Sequence, residues 1–390
     1  MRVISDAGNL SGKKVLLRVD FNVAIDKAGE IMDDFRIRAA LPTIKYLLKN
    51  QAKIILMSHF GRPNGKKDGS MSLVSVAQKL SEYLNTKIKK ADDCIGVQVE
   101  GLVASLNNGE IIFLENLRFC EGEEANDQEF SKKLAALGEI YVNDAFGVSH
   151  RAHASIVGIP KFLPSFAGFL LEKEVKILSQ VLENPSRPLS VVIGGAKIST
   201  KIKLIEEYLK KADNVILGGA LANTVLHAKG LAIGKSMFEK EAIAGVEKLE
   251  ITDNKLHIPV DTIVSEDRTG KGENRIAPVG KISENELILD IGPETEKIFS
   301  AVIEESKMVV WNGPMGLFEV NEFAHGTEAM AKSIAQSNAF SIVGGGETTC
   351  FIENLGLIDK FSHVSTGGGA MMEFLAGDEL PGIDALSNGK

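Results

Sequence analysis

The sequence predicts an α/β protein built from two parallel-sheet domains joined by a long helix. Short runs rich in β-forming residues alternate with amphipathic helical stretches along the whole chain. Such alternation is typical of parallel strands connected by crossover helices. The 390 residues are enough for two domains of ordinary size.

Strand and helix patterns alternate in both halves of the chain. In the first half we predict strands at 13–23, 52–60, 109–117 and 139–147. The helical patterns between them cover 36–50, 73–85 and 127–138. In the second half we predict strands at 189–193, 214–217, 308–311, 340–343 and 362–365. The same order in both halves favours two sheets of the same kind.

A single helical pattern lies between the two halves. Its apolar residues recur at helical spacing, namely Leu171, Val175, Leu178 and Leu182. An Asn-Pro pair then ends the helix. We therefore predict an N-terminal domain at 1–167, the helix at 168–184, a C-terminal domain at 185–370 and a tail at 371–390.

The charge is unevenly divided between the halves. Residues 1–165 hold 22 Lys+Arg against 20 Asp+Glu, a net of +2, while residues 166–390 hold 22 against 32, a net of −10. Seven of the ten arginines lie in the first part. The net negative charge of the chain argues against bulk nucleic-acid binding. The arginines of residues 1–165 could still bind a small anion.

Nothing in the sequence predicts a membrane segment, a disulfide framework or a zinc site. The three cysteines, Cys94, Cys120 and Cys350, are far apart and form no C-x-x-C pair. The chain opens without an apolar signal core, and no apolar run approaches a membrane span. We expect a cytoplasmic, soluble monomer without membrane or nucleic-acid partners. The acidic stretch "EGEEAND" at 121–127 is expected to be a solvated loop.

Glycines follow the predicted strands at four places in the second half. The stretches are "VVIGGAK" (191–197), "VILGGAL" (215–221), "SIVGGGET" (341–348) and "HVSTGGGA" (363–370). Glycines at the carboxyl ends of parallel strands let backbone N–H groups approach phosphate. The alternative is that they only make tight turns. Four such corners favour a nucleotide site, although neither the Walker A pattern nor G-x-G-x-x-G is present.

Two lysines follow the first glycine corner. We expect Lys197 and Lys201 to lie on one helical face near a helix N-terminus. Cations there oppose the helix dipole, so a bound anion would explain them better than structure does. A solvated helix face is the alternative.

Arginines stand beside the predicted strand ends and helix starts of the first half. Each could be a surface ion pair. Together, Arg36, Arg62, Arg118 and Arg151 predict an anion pocket, because guanidinium groups bind phosphate and carboxylate in a bidentate way. His59 could be a structural hydrogen bonder, but its neighbours favour ligand contact. His150 and His153 are spaced i, i+3, yet no carboxylate or cysteine pattern completes a metal site with them.

Eleven ordered stretches make the chain resemble the phosphoglycerate kinase family over nearly its whole length. They are "RVDFNV", "DDFRIRAALPTI", "SHFGRP", "ENLRF", "VNDAFGVSHRAHAS", "AGFLLEKEV", "GGAKISTKI", "VVWNGPMGLFE", "GGGETT", "VSTGGGAMMEFLAG" and "LPGIDALSN". The resemblance implies two Rossmann-like domains joined by a helix, with the C-terminal tail returning to the N-terminal domain. It also implies reversible transfer of a phosphoryl group between 1,3-bisphosphoglycerate and ADP, giving 3-phosphoglycerate and ATP, with Mg²⁺ accompanying the nucleotide.

The resemblance also implies site residues. Substrate binding falls to Asp20, Phe21, Asn22, Arg36, His59, Phe60, Gly61, Arg62, Arg118 and Arg151. Nucleotide binding falls to Lys197, Lys201, Gly219, Gly292, Asn312, Pro314, Glu319, Gly345, Gly346, Glu347 and Thr348. Charge stabilisation in the transition state is expected from Arg36, Lys197, Lys201, Gly346 and Gly369. No general base is needed, since neither reacting oxygen carries a proton at pH 7.

Three positions depart from the family pattern. Glu347 stands where the family usually has the aspartate associated with metal and nucleotide, so its longer arm alters the predicted metal ligand. Thr200 replaces the usual aspartate before the second lysine, and Ala24 replaces a proline. These changes leave one alternative open, a catalytically impaired nucleotide-binding protein of the same fold. An NAD-dependent dehydrogenase is the other rival, but its glycine fingerprint is missing.

Overall fold

The computed structural model describes residues 1–26, 29–199, 201–249 and 254–388. The chain divides into two compact units. Unit 1 comprises Met1–Ser179 and Gly377–Lys390, and unit 2 comprises Gln180–Ala376. Among the described residues, no helix is both long enough and apolar enough to cross a membrane.

Unit 1 is organised around a parallel sheet. Its strands are β1 (Lys14–Val19), β2 (Lys53–Met57), β3 (Lys89–Lys90), β4 (Ile111–Phe113), β5 (Ile140–Asp144) and β6 (Ser165–Ala167). The spatial order is β3-β4-β2-β1-β5-β6, and every pairing between neighbours is parallel. Its first helices are α1 (Phe35–Lys49), α2 (Val74–Leu84), α3 (Val97–Ala104), α4 (Glu121–Glu124), α5 (Gln128–Ala135) and α6 (Phe169–Glu183).

The core of unit 1 lies between this sheet and its helices. Alternate residues of β1, such as Val15 and Leu17, are fully buried and pack with Ile37 and Ile44 of α1. The strand is buried on both faces, as expected for a parallel sheet covered by helices. α6 begins in unit 1 and ends in unit 2, at the place where the sequence predicts a joining helix.

Unit 2 contains a second parallel sheet and a smaller antiparallel one. Its strands are β7 (Leu189–Ile193), β8 (Asn214–Leu217), β9 (Leu256–His257), β10 (Asp261–Ser265), β11 (Asn274–Pro278), β12 (Leu287–Ile291), β13 (Met308–Asn312), β14 (Phe340–Gly344) and β15 (His363–Ser365). The parallel sheet has the order β15-β14-β13-β7-β8-β9, and the antiparallel sheet has the order β11-β10-β12. The fold class predicted from the sequence is confirmed, but the antiparallel sheet was not predicted.

Helices connect the strands of unit 2 and follow its glycine corners. They are α7 (Ile202–Lys211), α8 (Gly219–Ala228), α9 (Ile243–Val246), α10 (Pro293–Glu305), α11 (His325–Gln336), α12 (Gly346–Asn354) and α13 (Gly368–Ala376). The chain then returns to unit 1 with α14 (Pro381–Asn388), where the Gly382 N–H donates to the Ser149 carbonyl at 2.8 Å.

Candidate active site

The predicted anion-binding residues of unit 1 lie at one edge of its sheet. β4, β2, β1 and β5 are neighbours and run parallel, so their carboxyl ends meet there. Asp20 follows β1, His59 follows β2, Arg118 follows β4 and Arg151 follows β5. Arg36 enters from the first turn of α1.

Asp20 is the centre of the first group of contacts. Its Oδ1 accepts the Asn22 N–H at 3.1 Å and lies 3.7 Å from Arg36 Nη1. The same oxygen is 3.9 Å from His59 Nδ1. Arg36 Nη1 also donates to the Asn22 carbonyl at 2.6 Å. The turn after β1 therefore holds the guanidinium of Arg36 through both a carboxylate and a carbonyl.

Gly61 links this turn to Arg118. The Gly61 N–H donates to Asn22 Oδ1 at 2.9 Å, and its carbonyl accepts Arg118 Nη1 at 2.7 Å. Gly61 has φ +61°, and a Cβ there would lie 2.8 Å from the Met71 sulfur. The positive φ therefore favours glycine, because L side chains rarely adopt that backbone conformation.

The remaining predicted residues of this group differ in exposure. Phe21 is fully buried and meets Phe113 edge to face, and Phe60 is also buried, so their rings belong to the core. Arg62 is exposed. Arg151 is half-buried, with Nε 3.2 Å from His150 Nε2. The two phenylalanines position the turns around the site rather than presenting their rings to solvent.

Arg18 fixes the tautomer of His59. The Arg18 Nη2 atom lies 3.3 Å from His59 Nδ1, and both side chains are buried. A guanidinium can only donate, so Nδ1 is the acceptor and the ring proton sits on Nε2. Burial, and then the positive charge of Arg18, lowers the pKa of His59 well below its usual value. His59 is therefore a neutral donor at physiological pH.

A buried polar network supports Arg18. Its Nε donates to Ser155 Oγ at 2.8 Å, and that hydroxyl donates to Glu123 Oε1 at 2.6 Å. The Ser155 N–H donates to the other Glu123 oxygen at 3.0 Å. Burial raises the pKa of Glu123, while Arg18 opposes the rise.

The expectation of a solvated acidic loop at 121–127 is therefore wrong for its centre. Glu123 is fully buried and belongs to α4, because Ser155 and Arg18 supply partners for its carboxylate. Arg18 and Glu123 are supporting residues that sequence reasoning missed. The available signal was the arginine inside the apolar strand β1, which needs a buried partner.

Two further histidines follow β5 and face the same arginines. Burial, followed by Arg151, lowers the pKa of His150 to about 4. Burial, followed by Arg118, lowers the pKa of His153 to about 3. Both are therefore uncharged at neutral pH, so the positive charge of this group comes from its arginines.

The glycine corners of unit 2 are packed directly against one another. The Gly194 N–H donates to the Asn312 carbonyl at 2.8 Å, and Asn312 Nδ2 donates to the Gly344 carbonyl at 2.8 Å. A Cβ on Gly194 would lie 2.1 Å from the Pro314 oxygen, and one on Gly368 would lie 2.4 Å from the Gly345 nitrogen. These glycines are required for close approach of neighbouring strand ends.

Two glycines of the same corners are open instead. A Cβ on Gly346 or Gly369 would meet nothing within 4 Å. Gly346 is the first residue of α12, and Gly369 is the second residue of α13. Their N–H groups belong to the first turns of helices, which are suited to anions.

Gly292 has a packing reason of its own. Its N–H donates to the Asp261 carbonyl at 2.9 Å, and a Cβ would lie 2.4 Å from the Asp261 carboxyl carbon. Asp261 in turn caps α10, since Oδ1 accepts the Thr295 N–H at 2.8 Å. The position therefore needs glycine to bring the start of α10 against β10.

The prediction that both lysines share one helical face is wrong. α7 begins at Ile202, so Lys197 and Lys201 precede it. Lys201 Nζ donates back to the Gly194 carbonyl at 2.6 Å, which holds it beside the glycine corner rather than along the helix. Burial lowers the pKa of Lys201 to about 8, and Glu347 opposes that shift. Lys197 is exposed, and Thr200 lies outside the described residues.

A cavity of about 380 Å³ opens beside these corners within unit 2. Of the predicted nucleotide residues, its lining includes Gly219, Pro314, Glu319 and Glu347. Lys197, Lys201, Gly292, Asn312, Gly345, Gly346 and Thr348 are not part of that lining. Thr348 is buried, and its hydroxyl accepts the Gly313 N–H at 3.1 Å. The predicted residues therefore divide between the cavity wall and the glycine corners beside it.

Much of the cavity wall comes from residues that sequence reasoning missed. Apolar side chains of β12 and of the segment after β13 face it, including Leu287, Leu289 and Met315. Lys235 and Arg268 add positive charge. A cavity with so much apolar wall suits a flat aromatic base. These residues come from irregular segments and the antiparallel sheet, which show little sequence periodicity.

Comparison with known proteins assigns the chain to a family. The phosphoglycerate kinase family model matches residues 4–378. The chain is 47% identical to a phosphoglycerate kinase of Trichodesmium erythraeum, over 97% of each chain. It is 46% identical to one of Moorella thermoacetica, again over 97% of each.

Solved structures agree with these relatives. The structure of phosphoglycerate kinase from Coxiella burnetii has a TM-score of 0.81 and 41% identity, covering 99% of this chain and 98% of that one. The crystal structure of phosphoglycerate kinase from Pyrococcus horikoshii has a TM-score of 0.88 and 34% identity, with the same coverage.

Fold and relatives together define the class of protein as a phosphotransferase with a carboxyl group as acceptor. The chain belongs to the phosphoglycerate kinase family. Its activity is accordingly glycolytic and nucleotide-dependent. The dehydrogenase alternative is excluded, and the comparisons give no support to the impaired protein.

Proposed function

We propose that the chain transfers a phosphoryl group reversibly between 1,3-bisphosphoglycerate and ADP, giving 3-phosphoglycerate and ATP. The observation that carries this proposal is the family match over residues 4–378, together with relatives that cover the whole fold.

The phosphoglycerate is assigned to unit 1. The guanidinium groups of Arg36, Arg118 and Arg151 converge on the turns after β1, β2, β4 and β5 and would neutralise its phosphate and carboxylate. His59 would donate its Nε2–H without adding charge. Asp20, Asn22 and Gly61 hold these groups in place. Exposed Arg62 would close over the ligand, while Phe21 and Phe60 shape the wall beneath it.

The nucleotide is assigned to unit 2. The apolar cavity lined by Gly219, Pro314 and Glu319 has the character required by a nucleoside. Its phosphates would extend to the open helix starts at Gly346 and Gly369. Lys197 and Lys201 would stabilise the charge of the transferred group. Gly292, Asn312, Gly345 and Thr348 support the corners from which these contacts come.

Mg²⁺ fits this arrangement through Glu347. Its carboxylate is exposed, borders the cavity and offers the hard oxygen ligand that Mg²⁺ prefers. The ion would supply neutralisation of the phosphate charge. The chain itself supplies positioning, exclusion of water and fixed positive charge, which are the main requirements of phosphoryl transfer.

Transfer requires the two ligands to meet. The arginines belong to unit 1 and the glycine corners to unit 2, whereas in-line transfer needs reacting atoms about 3–3.5 Å apart. We therefore assign the chemical step to a closed state that forms when both ligands are bound. Closure would also exclude water that could hydrolyse the acyl phosphate. The proposed enzyme acts as a cytoplasmic monomer, in keeping with a glycolytic role.

A coupled assay tests the reaction. The full chain, supplied with 1,3-bisphosphoglycerate, ADP and Mg²⁺, should form ATP, and Arg36→Ala, with kcat lower by ~10²–10³, provides the matched control. Absence of ATP formation by folded protein would reject the function. Small-angle scattering tests closure, since the radius of gyration should be smaller with nucleotide and 3-phosphoglycerate together than with either alone. An unchanged radius at saturation would reject the closure step.

A further inference from the structure

Unit 1 brings together two cysteines that are far apart in the sequence. Cys94 Sγ, Cys120 Sγ and a carboxylate oxygen of Asp93 all lie within 4.8 Å of one another. Cys94 is buried, whereas Cys120 is half-buried. One cysteine of the pair is therefore partly exposed and the other is shielded from solvent.

The two cysteines belong to segments that border the proposed substrate site. Cys94 lies between β3 and α3, and its thiol donates to the Glu115 carbonyl at 3.1 Å. Cys120 ends the short 3-10 turn Leu117–Phe119, which contains Arg118. A covalent change at Cys120 would therefore act on the turn from which Arg118 reaches Gly61.

The two thiols have different environments, and the difference favours a thiolate on Cys120 over one on Cys94. The neighbouring Cys94 thiol lowers the pKa of Cys120, with Lys67 acting in the same direction, against burial, Asp93 and Glu123. The nearby Cys120 thiol, together with burial, raises the pKa of Cys94. Cys120 is thus the better nucleophile, and Cys94 is positioned to act as the resolving thiol.

The surroundings favour thiol chemistry over metal binding. Lys67 Nζ lies 2.9 Å from Asp93 Oδ2, and the Cys94 N–H donates to Asp93 Oδ1 at 2.8 Å. Both carboxylate oxygens are therefore already engaged, one of them by a cation. A divalent ion would have to displace that ammonium to use Asp93 as a ligand.

We propose that Cys120 and Cys94 form a dithiol site that reacts with low-molecular-weight disulfides and closes to an intramolecular disulfide. The Cys120 thiolate attacks one sulfur of the small disulfide, forms a mixed disulfide and releases one thiolate. Cys94 then gives up its proton and attacks Cys120 Sγ, forming the Cys94–Cys120 bond and releasing the second thiolate. The protein loses two electrons and two protons, and the small disulfide is reduced to two thiols.

This modification has an expected consequence that rests on the proposed function. The new bond removes the hydrogen bond from Cys94 to Glu115 and pulls on the turn that carries Arg118. We expect oxidised protein to show a several-fold higher KM for 3-phosphoglycerate. Nucleotide affinity should not change, because the nucleotide is assigned to unit 2.

The experiment treats the reduced full chain with oxidised glutathione and maps the products by alkylation and peptide mass spectrometry. The parent and Cys350→Ser should both form the Cys94–Cys120 linkage. Cys94→Ala should stop at a glutathione adduct on Cys120. Cys350, half-buried like Cys120 but in unit 2, is the matched control and should react about tenfold more slowly.

Several outcomes would overturn the proposal. One is a first adduct on Cys94 or Cys350, and another is failure of the parent to form the linkage, which needs no variant to detect. Stoichiometric Zn²⁺ binding that protects both thiols would replace it with a metal site. An unchanged KM in fully linked protein would break the connection to Arg118. If the reduced chain made no ATP, the proposed function would fail, while the mass measurement would still decide the dithiol.

Discussion

The guanidinium of Arg18 and the imidazole of His59 meet at 3.3 Å inside unit 1, with the arginine as donor. Arg18 is fully buried, and its charge is balanced by Glu123, 3.8 Å away. Arg18 is thus paired with a carboxylate, while burial and the charge of Arg18 keep His59 neutral.

The first prediction concerns the tautomer of His59. Nitrogen-15 NMR should show a protonated Nε2 and an unprotonated Nδ1. Because burial and Arg18 lower the pKa of His59 well below 6.5, the ring should remain neutral as the pH falls from 7.5 to 5.5. His227, near the surface of unit 2, serves as an internal comparison for signal assignment. A protonated Nδ1, or a midpoint near 6.5, would contradict the geometry.

The second prediction compares two arginines of α1. Arg36 Nη1 contacts the turn after β1, whereas Arg38 lies two residues further on and pairs with Asp34 at 2.6 Å on the surface. Arg36→Ala should lower kcat by ~10²–10³, the loss expected for one electrostatic stabiliser. Arg38→Ala should leave kcat nearly unchanged. Steady-state kinetics and thermal melts of both variants test this role of Arg36. Normal turnover of Arg36→Ala, or its failure to fold, would reject the assignment.

The third prediction uses neighbouring glycines of α13. A Cβ on Gly369 meets nothing within 4 Å, while one on Gly368 would lie 2.4 Å from the Gly345 nitrogen. Gly369→Ala should therefore fold normally and bind nucleotide more weakly, since its methyl group would obstruct phosphate approach. Gly368→Ala should be destabilised by several kcal/mol, the scale of overpacking against backbone. Melting temperatures and nucleotide titrations distinguish them, and unchanged affinity in Gly369→Ala would contradict the role.

The fourth prediction concerns protons taken up with the nucleotide. Burial lowers the pKa of Lys201 to about 8, so about half of these side chains are neutral at pH 8. Phosphate nearby would favour the charged form, giving uptake of up to ~0.5 proton by Lys201. Calorimetry in buffers of different ionisation enthalpy measures this number. Lys201→Gln should lose this proton uptake, whereas Lys197→Gln, at an exposed position, should keep it. Equal uptake by the parent and both variants would show that the phosphates bind away from Lys201.

The fifth prediction follows from Asp144 at the start of α6. Its Oδ1 accepts the N–H groups of Leu170 and Leu171 at 2.9 and 3.1 Å, and burial raises its pKa to about 7. Folded protein therefore holds a proton that unfolded protein has lost, so this group stabilises the fold increasingly as the pH falls from 7 toward 4. Asp144→Asn removes that dependence. As the pH rises from 5 to 8, the free energy of unfolding of the variant should therefore increase by about 2–3 kcal/mol relative to that of the parent.

Hydrogen-exchange protection of the amides in unit 1 measures this difference in stability. Asp290→Asn is the matched control, because burial also raises the pKa of Asp290 to about 7 but in unit 2. Its effect should be confined to unit 2. A parallel pH dependence of protection in Asp144→Asn and the parent would show that the carboxyl is ionised in folded protein.

Much of the architecture can be predicted from local pattern. The alternation of β-rich and amphipathic segments led to the two parallel sheets and to α6, because burial on both faces of a strand and one face of a helix imposes a period on the sequence. Glycine after a strand likewise indicated the corners at Gly194, Gly219, Gly345 and Gly368. Arginine beside strand ends indicated the group at Asp20 and His59, which follow adjacent strands.

Other features depend on residues that meet only in the folded chain. Glu123 is buried because Ser155 and Arg18 reach it from other elements, so its local acidic sequence suggested solvent instead. The antiparallel sheet escaped prediction because β11 is largely exposed and shows no clear alternation. Lys201 turns toward Gly194 although its spacing from Lys197 is helical.

The local sequence thus determined where strands, helices and glycine turns form, since those depend on backbone preference and on a repeating pattern of burial. Tertiary structure decided which polar groups share a buried environment. That environment sets the tautomer of His59 and the protonation of Asp144, and the fold brings Cys94 and Cys120 close together. Such properties depend on desolvation and on partners distant in the chain, and neither is encoded in a short stretch of sequence.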